Sequence, residues 1–314
     1  ASVSGQAARP QILLASGHAV QLQGGSRDND GIMIRVRWLS GKHVVMLNVE
    51  TDITVGPVLE RMARSAGVVY TGSAGDEPGA IMELYDFASS LGFEVVVAGK
   101  GKNNPLDVSA TPESVAEEAE SKRMNPKMLA SFVDGTKTMV EMAAVANATG
   151  FAPDVPGMHG PEETVPSRLA EIFSLEEEGG ILSNYGTVDY VRGVAPGVFV
   201  VLRSPTGPVR ETLEYLGQGP GPNHVLYRPY HLTSLETPIS AARAAIYGEP
   251  TIVSRQTPTA EVVAVAKRNL RAEEKLGGIG SADYYGRLYP VTDVAGMLPL
   301  GLAAGARTTR PVEK

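Results

Sequence analysis

Between His43 and Ala98 the chain alternates short apolar runs with helical patterns, and that alternation restricts the fold more than anything else in it. His43 to Leu47 reads as a strand introduced by Gly41-Lys42, and Thr54 to Ala66 as a helix with apolar Val55, Val58, Leu59, Met62 and Ala66 at helical spacing. Val68 to Thr71 is a second strand. Pro78 to Leu91 is a second helix, with Pro in its first turn, Asp76 and Glu77 ahead of it and Gly92 after it. Its expected buried stripe is Ile81, Leu84, Tyr85, Ala88 and Leu91. Phe93 to Ala98 is short, Val-rich and bounded by glycine, the pattern of a strand buried on both faces. Strands alternating with helices imply an α/β fold with a parallel sheet and right-handed crossovers.

Such a sheet binds ligands beyond the carboxyl ends of its strands. The residues there are Gly99-Lys100-Gly101-Lys102-Asn103-Asn104-Pro105, read as a loop. Two lysines, two amides and open glycine backbone suit an anion, and they also suit a solvated turn. Thr111-Pro112-Glu113 opens a short acidic helix, and Asn125-Pro126 a longer one stopped by Gly150. On the longer helix Asp134, Lys137 and Glu141 share a face at spacing i, i+3, i+7. Phe132, Val133, Met139 and Val140 around them predict a buried helix, whose charges must be paired or bind something. An exposed ion-pair ladder is the alternative.

The remainder is less marked. Residues 1–40 form an atypical segment in which Ile32 to Trp38 alternates like a strand and Gly24 to Gly31 reads as a turn. Residues 151–184 connect two units, with His159 between glycines in Gly157-Met158-His159-Gly160-Pro161. From 185 onward the reading is mostly β: Gly197 to Arg203 and Glu261 to Lys267 as strands, Pro238 to Tyr247 as a helix, and a ragged tail after Leu298. Arg228 and His231 lie in a polar-aromatic loop and are site candidates or inter-domain hydrogen-bonding groups. The expected division is 1–40, 41–184 and 185–314.

Composition excludes some functions. The net charge of −7 over 314 residues argues against nucleic-acid binding, which needs a basic surface. No apolar run approaches the ~20 residues that cross a bilayer. Zero cysteines remove disulfides and thiol chemistry. With no secretory pattern in the opening residues, these features give a cytoplasmic protein as the expectation.

Several long runs carry a resemblance: GKHVVMLNVETDITVGP from Gly41, then AGDEPGAIMEL, AGKGKNNPLD, FVDGTKTMVEMAAVANATG and PDVPGMHGP. DYVRGVAPGVFVV, LYRPYHLTSLETP and AEVVAVAKRNL add to it. Over about residues 41–305 the chain resembles the homoserine-dehydrogenase-like oxidoreductases, the group with the 1-deoxy-D-xylulose-5-phosphate-reductoisomerase-like enzymes. The resemblance implies a Rossmann-type domain, a catalytic α/β domain and a β-rich, SAF-like C-terminal unit. It also implies NADP or NAD as cofactor. Members carry a full Rossmann half ahead of the GKHVV strand; 40 residues precede it here and no Gly-x-Gly-x-x-Gly is present. A truncated Rossmann remnant is therefore expected. That front would leave a sheet edge open, which predicts a homo-oligomer.

On this resemblance Lys100, Lys102, Asp134 and Lys137 are catalytic candidates, neutralising an oxyanion or substrate phosphate and moving a proton. Asn103, Asn104, Thr136, His159, Arg228 and His231 would bind substrate. Asn48 and Glu50 would bind cofactor. Asp76, Glu77 and Glu141 would hold Mg²⁺ or Mn²⁺, which prefer oxygen donors, although Asp76 and Glu77 also suit a helix cap. Two functions follow. One is a metal-assisted NAD(P)-dependent oxidoreductase acting on a small hydroxylated or phosphorylated metabolite. The other is a family member without nicotinamide binding, acting as a cofactor-free isomerase or lyase or as a small-molecule-binding protein.

Overall fold

The computed structural model describes residues 41–204 and 206–314, together with the backbone of two strands, β1 (Gln11–Leu13) and β2 (Ala19–Gln23). The expected strand at 32–38 and turn at 24–31 lie outside the described residues. Three sheets are present among the described residues, and the fold is α/β with partly parallel pairing.

The first sheet runs β1-β2-β3-β4, with β3 at His43–Met46 and β4 at Tyr70–Gly72. β2, β3 and β4 are parallel, and β1 is antiparallel to β2. Helix α1 (Val49–Ser65) crosses from β3 to β4. It starts earlier than its periodicity suggested and buries a neighbouring face that shares only Leu59 with the expected one. Val49, Asp52, Ile53, Gly56, Leu59 and Ala63 are buried, while the expected Val55, Val58 and Met62 are exposed. Asp52 explains the shift: its Oδ1 accepts the Tyr70 hydroxyl at 2.7 Å, and that bond lets a carboxylate point inward. Gly56 makes room, since a Cβ there would lie 2.6 Å from Asp52 Oδ1.

Helix α2 (Glu77–Ser90) follows, with Leu91 exposed rather than buried. The next strand, β5 (Glu94–Lys102), does not join β3 and β4 as expected. It is central in a second sheet of order β6-β5-β7-β8, formed with β6 (Thr187–Arg192), β7 (Val198–Arg203) and β8 (Asn223–Arg228). β5 is parallel to β6 and antiparallel to β7. This sheet spans the expected boundary at 184/185. Between β5 and β6 lie α3 (Ala116–Ser121), α4 (Pro126–Val133), α5 (Thr136–Thr149) and the short α6 (Leu169–Ile172). α2 and α5 cover one face of the sheet in the main core, and Leu169, Phe173 and Leu182 cover the other.

The single helix expected from Asn125 to Gly150 is two helices. Asp134 ends α4, and Gly135, at φ 86°, turns the chain into α5. α7 (Gly207–Tyr215) and β8 were not expected. α8 (Thr237–Ala242) continues as a π-helical turn over 243–247, matching the expected helix. β9 (Ala260–Ala266) pairs with β10 (Tyr284–Pro290) as a separate antiparallel ribbon against α5. After α9 (Leu300–Ala303) the tail is pinned rather than ragged: Leu270 and Val312 exchange both backbone hydrogen bonds, at 2.8 and 3.0 Å. Among the described residues no helix is long and apolar enough to cross a membrane.

Candidate active site

The cleft begins with the parity of β5. A bulge between Val95 and Val97 shifts the strand's phase. Val95 and Ala98 both face the core under α5, while Val96 and Val97 face the opposite side. From Ala98 onward the alternation is regular, so Lys100 and Lys102 lie on the α2/α5 side, and Gly99 and Gly101 on the other. The glycines are required there. A Cβ on Gly99 would sit 2.4 Å from Phe199 Cζ, and one on Gly101 would sit 2.5 Å from Ala195 N. The lysine-bearing run is thus strand, not the loop the sequence suggested, and both lysines are buried.

Lys100 meets acids from two helices. Its Nζ donates to Glu77 Oε1 at 2.7 Å and, through a shorter contact, to Glu141 Oε2. Glu77 is in the first turn of α2 and Glu141 in the middle of α5. Lys137, one turn before Glu141, lies 3.2 Å from Glu50 Oε1 and 3.9 Å from Glu141 Oε1. His231 closes the side, with Nδ1 3.1 Å from Gly75 O and Nε2 3.4 Å from Glu77 Oε1. Its loop is anchored by Thr233 N donating to Gly75 O at 2.7 Å. These groups line a cleft of about 390 Å³ with Asp76, Lys102, Asn103, Asn104 and Phe132.

Burial sets the electrostatics. Burial alone would strip protons from Lys100 and Lys137. Adjacent carboxylates more than reverse this and hold both lysines above the ordinary lysine range: Glu141 and Glu77 act on Lys100, Glu50 and Glu141 on Lys137. Glu77 is held down to about 2: burial pushes it up, and the charges of Lys100 and His231 together with the hydrogen bond from Lys100 outweigh burial. Glu141 is pushed up to about 7 by burial and then by Glu77, and Asp76 up to about 6, chiefly by burial.

Asp76 bears on a metal. It occupies the N-cap position of α2, but its side chain makes no capping bond, so the capping alternative does not account for it. Instead its carboxyl lies beside that of Glu77. Two carboxylates in contact need a proton or a cation between them. Oxygens of Asp76, Glu77 and Glu141 lie within 4.8 Å of one another. This all-oxygen, electron-rich set fits Mg²⁺ or Mn²⁺.

A dinucleotide does not fit the described residues in the same way. At the carboxyl end of β3, Asn48 Oδ1 is used to cap α1 through Thr51 N at 2.7 Å. Glu50 pairs with Lys137, and the first turn of α1 carries Glu50 and Asp52, which repel a pyrophosphate. Asn48, expected to bind cofactor, thus caps α1, and Glu50, expected to do the same, is in an ion pair.

Other expected residues lie elsewhere. Thr136 is buried, and its hydroxyl accepts Gly286 N at 2.8 Å, joining α5 to β10 rather than facing substrate. Asp134 does not share a face with Lys137 and Glu141, because the helix breaks at Gly135. Its Oδ1 accepts Thr136 N at 2.8 Å, and its Oδ2 accepts Lys267 Nζ at 2.7 Å. His159 Nε2 is 2.8 Å from Asp154, in a network with Ser183 and Asn184. Arg228 bridges Glu83 and Glu236, both at 2.7 Å, and stacks on Tyr230. Lys267 was missed. It is buried and donates to Asp134, Ala110 O and Ser281 O; the signal was a lysine ending an otherwise apolar strand.

Residues 75–237 match the family model described as oxidoreductase DRL, catalytic domain, over just more than half of the chain. The chain belongs to that family. The matched span begins one residue before Asp76 and contains every cleft residue named above except Glu50. None of the curated proteins matches the chain. The DRL catalytic domain makes this an oxidoreductase, and the cleft on β5 is its candidate centre.

Proposed function

We propose that this DRL-family oxidoreductase reduces or oxidises a small polyhydroxylated carbonyl compound, free or phosphorylated, in the β5 cleft, with a divalent metal on Asp76, Glu77 and Glu141. The observation that carries the reading is the meeting of Lys100 with acids from two helices beside Asp76, whose carboxyl has no cationic partner within hydrogen-bonding distance among the described residues. Such a centre suits a reaction in which negative charge develops on oxygen. When hydride reaches a carbonyl carbon, the oxygen becomes an alkoxide, and fixed cations lower the energy of that state. Lys100 and Lys137 stay charged and are held by their acids. Asn103 and Asn104, at the mouth, offer amides to substrate hydroxyls. A bound Mg²⁺ or Mn²⁺ would polarise the same oxygen or chelate an α-ketol.

The sequence resemblance to homoserine-dehydrogenase-like and reductoisomerase-like enzymes supports this reading and names a nicotinamide, NADPH first, as reductant. It also supports an SAF-like role for the C-terminal residues. The poor fit of the α1 N-terminus to a pyrophosphate favours a second reading, a metal-assisted isomerase or lyase that does not use nicotinamide. Fluorescence titration separates the two. Saturable micromolar NADPH binding, with Mn²⁺-dependent NADPH oxidation on a panel of hydroxy-aldehydes, ketoses and their phosphates, is the expected result. No binding at millimolar NADPH or NADH would leave the second reading.

A further inference from the structure

Four lysines line the cleft; Lys122 is exposed and paired with Glu118, and of the other three one is unlike its neighbours. Lys100 and Lys137 are each bonded to carboxylates, whereas the only hydrogen bond Lys102 makes among the described residues is to the backbone carbonyl of Phe132, at 2.7 Å. It is 5% exposed, and Leu129, Phe132 and Pro196 line the cleft beside it. Two residues away, on the same face of β5, stands the Lys100 ammonium. The acids within electrostatic reach are Asp134, at the end of α4, and Glu141, on α5. Both are already bonded to other ammonium groups, Asp134 to Lys267 and Glu141 to Lys100.

We propose that Lys102 is a nucleophilic amine that condenses with the carbonyl group of small hydroxy-aldehydes and hydroxy-ketones to form a Schiff base in this cleft. The idea rests on the reading of the cleft as the substrate site. Desolvation and a neighbouring cation are the two environments that free a lysine's lone pair near neutral pH. Both act here, burial first and then Lys100, and they bring the amine down to about 8. In the step itself, the neutral Nζ forms a C–N bond as the carbonyl π pair moves to oxygen. That oxygen takes one proton from the nitrogen and one from solvent and leaves as water. The protonated imine that remains has consumed one proton overall and requires no change of oxidation state. Lys100 and Lys137, locked to their acids, remain the cations of the site, so the three lysines divide between charge and nucleophile.

Reductive trapping tests this on the full chain. The protein is incubated with dihydroxyacetone and sodium borohydride, whose hydride converts the imine into a stable secondary amine, and modified lysines are quantified by peptide mass spectrometry. At pH 8, Lys102 should be modified more than about tenfold faster than exposed Lys127, because an ordinary lysine is almost wholly protonated there. Its rate should rise through about pH 8 and level off. Lys102→Arg, which keeps the charge without a free amine, should remove the adduct. Mn²⁺ binding, read by electron paramagnetic resonance, is measured on the same preparation. Modification of Lys102 no faster than Lys127 overturns the proposal. If Mn²⁺ still binds in that case, the amine alone fails; if Mn²⁺ does not bind, the reading of the cleft fails with it.

Discussion

Glu141 is the residue on which the charge balance of the cleft turns. It is almost fully buried, accepts from Lys100, faces Lys137 and stands near Glu77 and Asp76. A carboxyl whose folded pKa lies above its unfolded value holds its proton more tightly when folded. Its contribution to stability is therefore present at low pH and is lost as pH rises between the two values. For Asp76 and Glu141 the ordinary values are 3.8 and 4.5, and the folded ones about 6 and about 7. Metal-free protein should lose thermal stability between about pH 4 and 7, and Mn²⁺ should restore more at pH 8 than at pH 5; calorimetric scans at both pH values check this. Glu77 is depressed, and its contribution is already complete above pH 4.5. Lys100→Met removes a cation meant for the reaction's charged state. Turnover should fall about 10²- to 10³-fold, the usual loss for one such donor, with a much smaller change in KM; steady-state kinetics give the split. The sequence showed Asp134, Lys137 and Glu141 as charged groups among apolar ones, which is the reason to expect pairing. It could not show that Asp134 pairs with Lys267, because that contact spans 133 residues.

At the level of elements, β5 delivers both lysines because its bulge and glycines fix which way they point. In Gly101→Ala the new Cβ meets the backbone of Ala195, which cannot rotate away. A loss of ~1–3 kcal/mol is expected, the range for overpacking, together with weaker Mn²⁺ binding as Lys100 shifts; urea unfolding and metal titration test both. The break between α4 and α5 has its own anchor. Lys267→Met would leave Asp134 charged and unpaired in the core, which costs ~3–5 kcal/mol, and would loosen the first turn of α5 that carries Lys137. Chemical denaturation measures this loss. The Asp134-Gly135 pair was a legible turn signal within an otherwise helical run. The run of apolar residues on α1 misled, because Val55, Val58 and Met62 are exposed while Asp52 and Gly56 are buried. A helix face is decided by what its neighbours can bond, and Tyr70 is not local to that helix.

For the whole molecule, the cleft joins segments distant in sequence. Glu50 comes from α1, Asp76 and Glu77 from α2, the lysines from β5, and Lys137 and Glu141 from α5; Lys267 of the C-terminal ribbon holds the α4–α5 break. The matched catalytic domain therefore holds the chemistry, and flanking residues at 50 and 267 complete its support. α/β class and partly parallel pairing were legible from alternation alone. The division of strands between two sheets was not, because periodicity marks a strand and does not name its partner. The claim most open to measurement is that Asp76, Glu77 and Glu141 act together beside Lys100. Mn²⁺ titration followed by electron paramagnetic resonance, on the wild type and on Asp76→Asn, addresses it directly. One saturable site per chain in the wild type, weakened at least ~10-fold in Asp76→Asn, is the expected result. Equal, non-saturating binding by the two proteins would contradict the account.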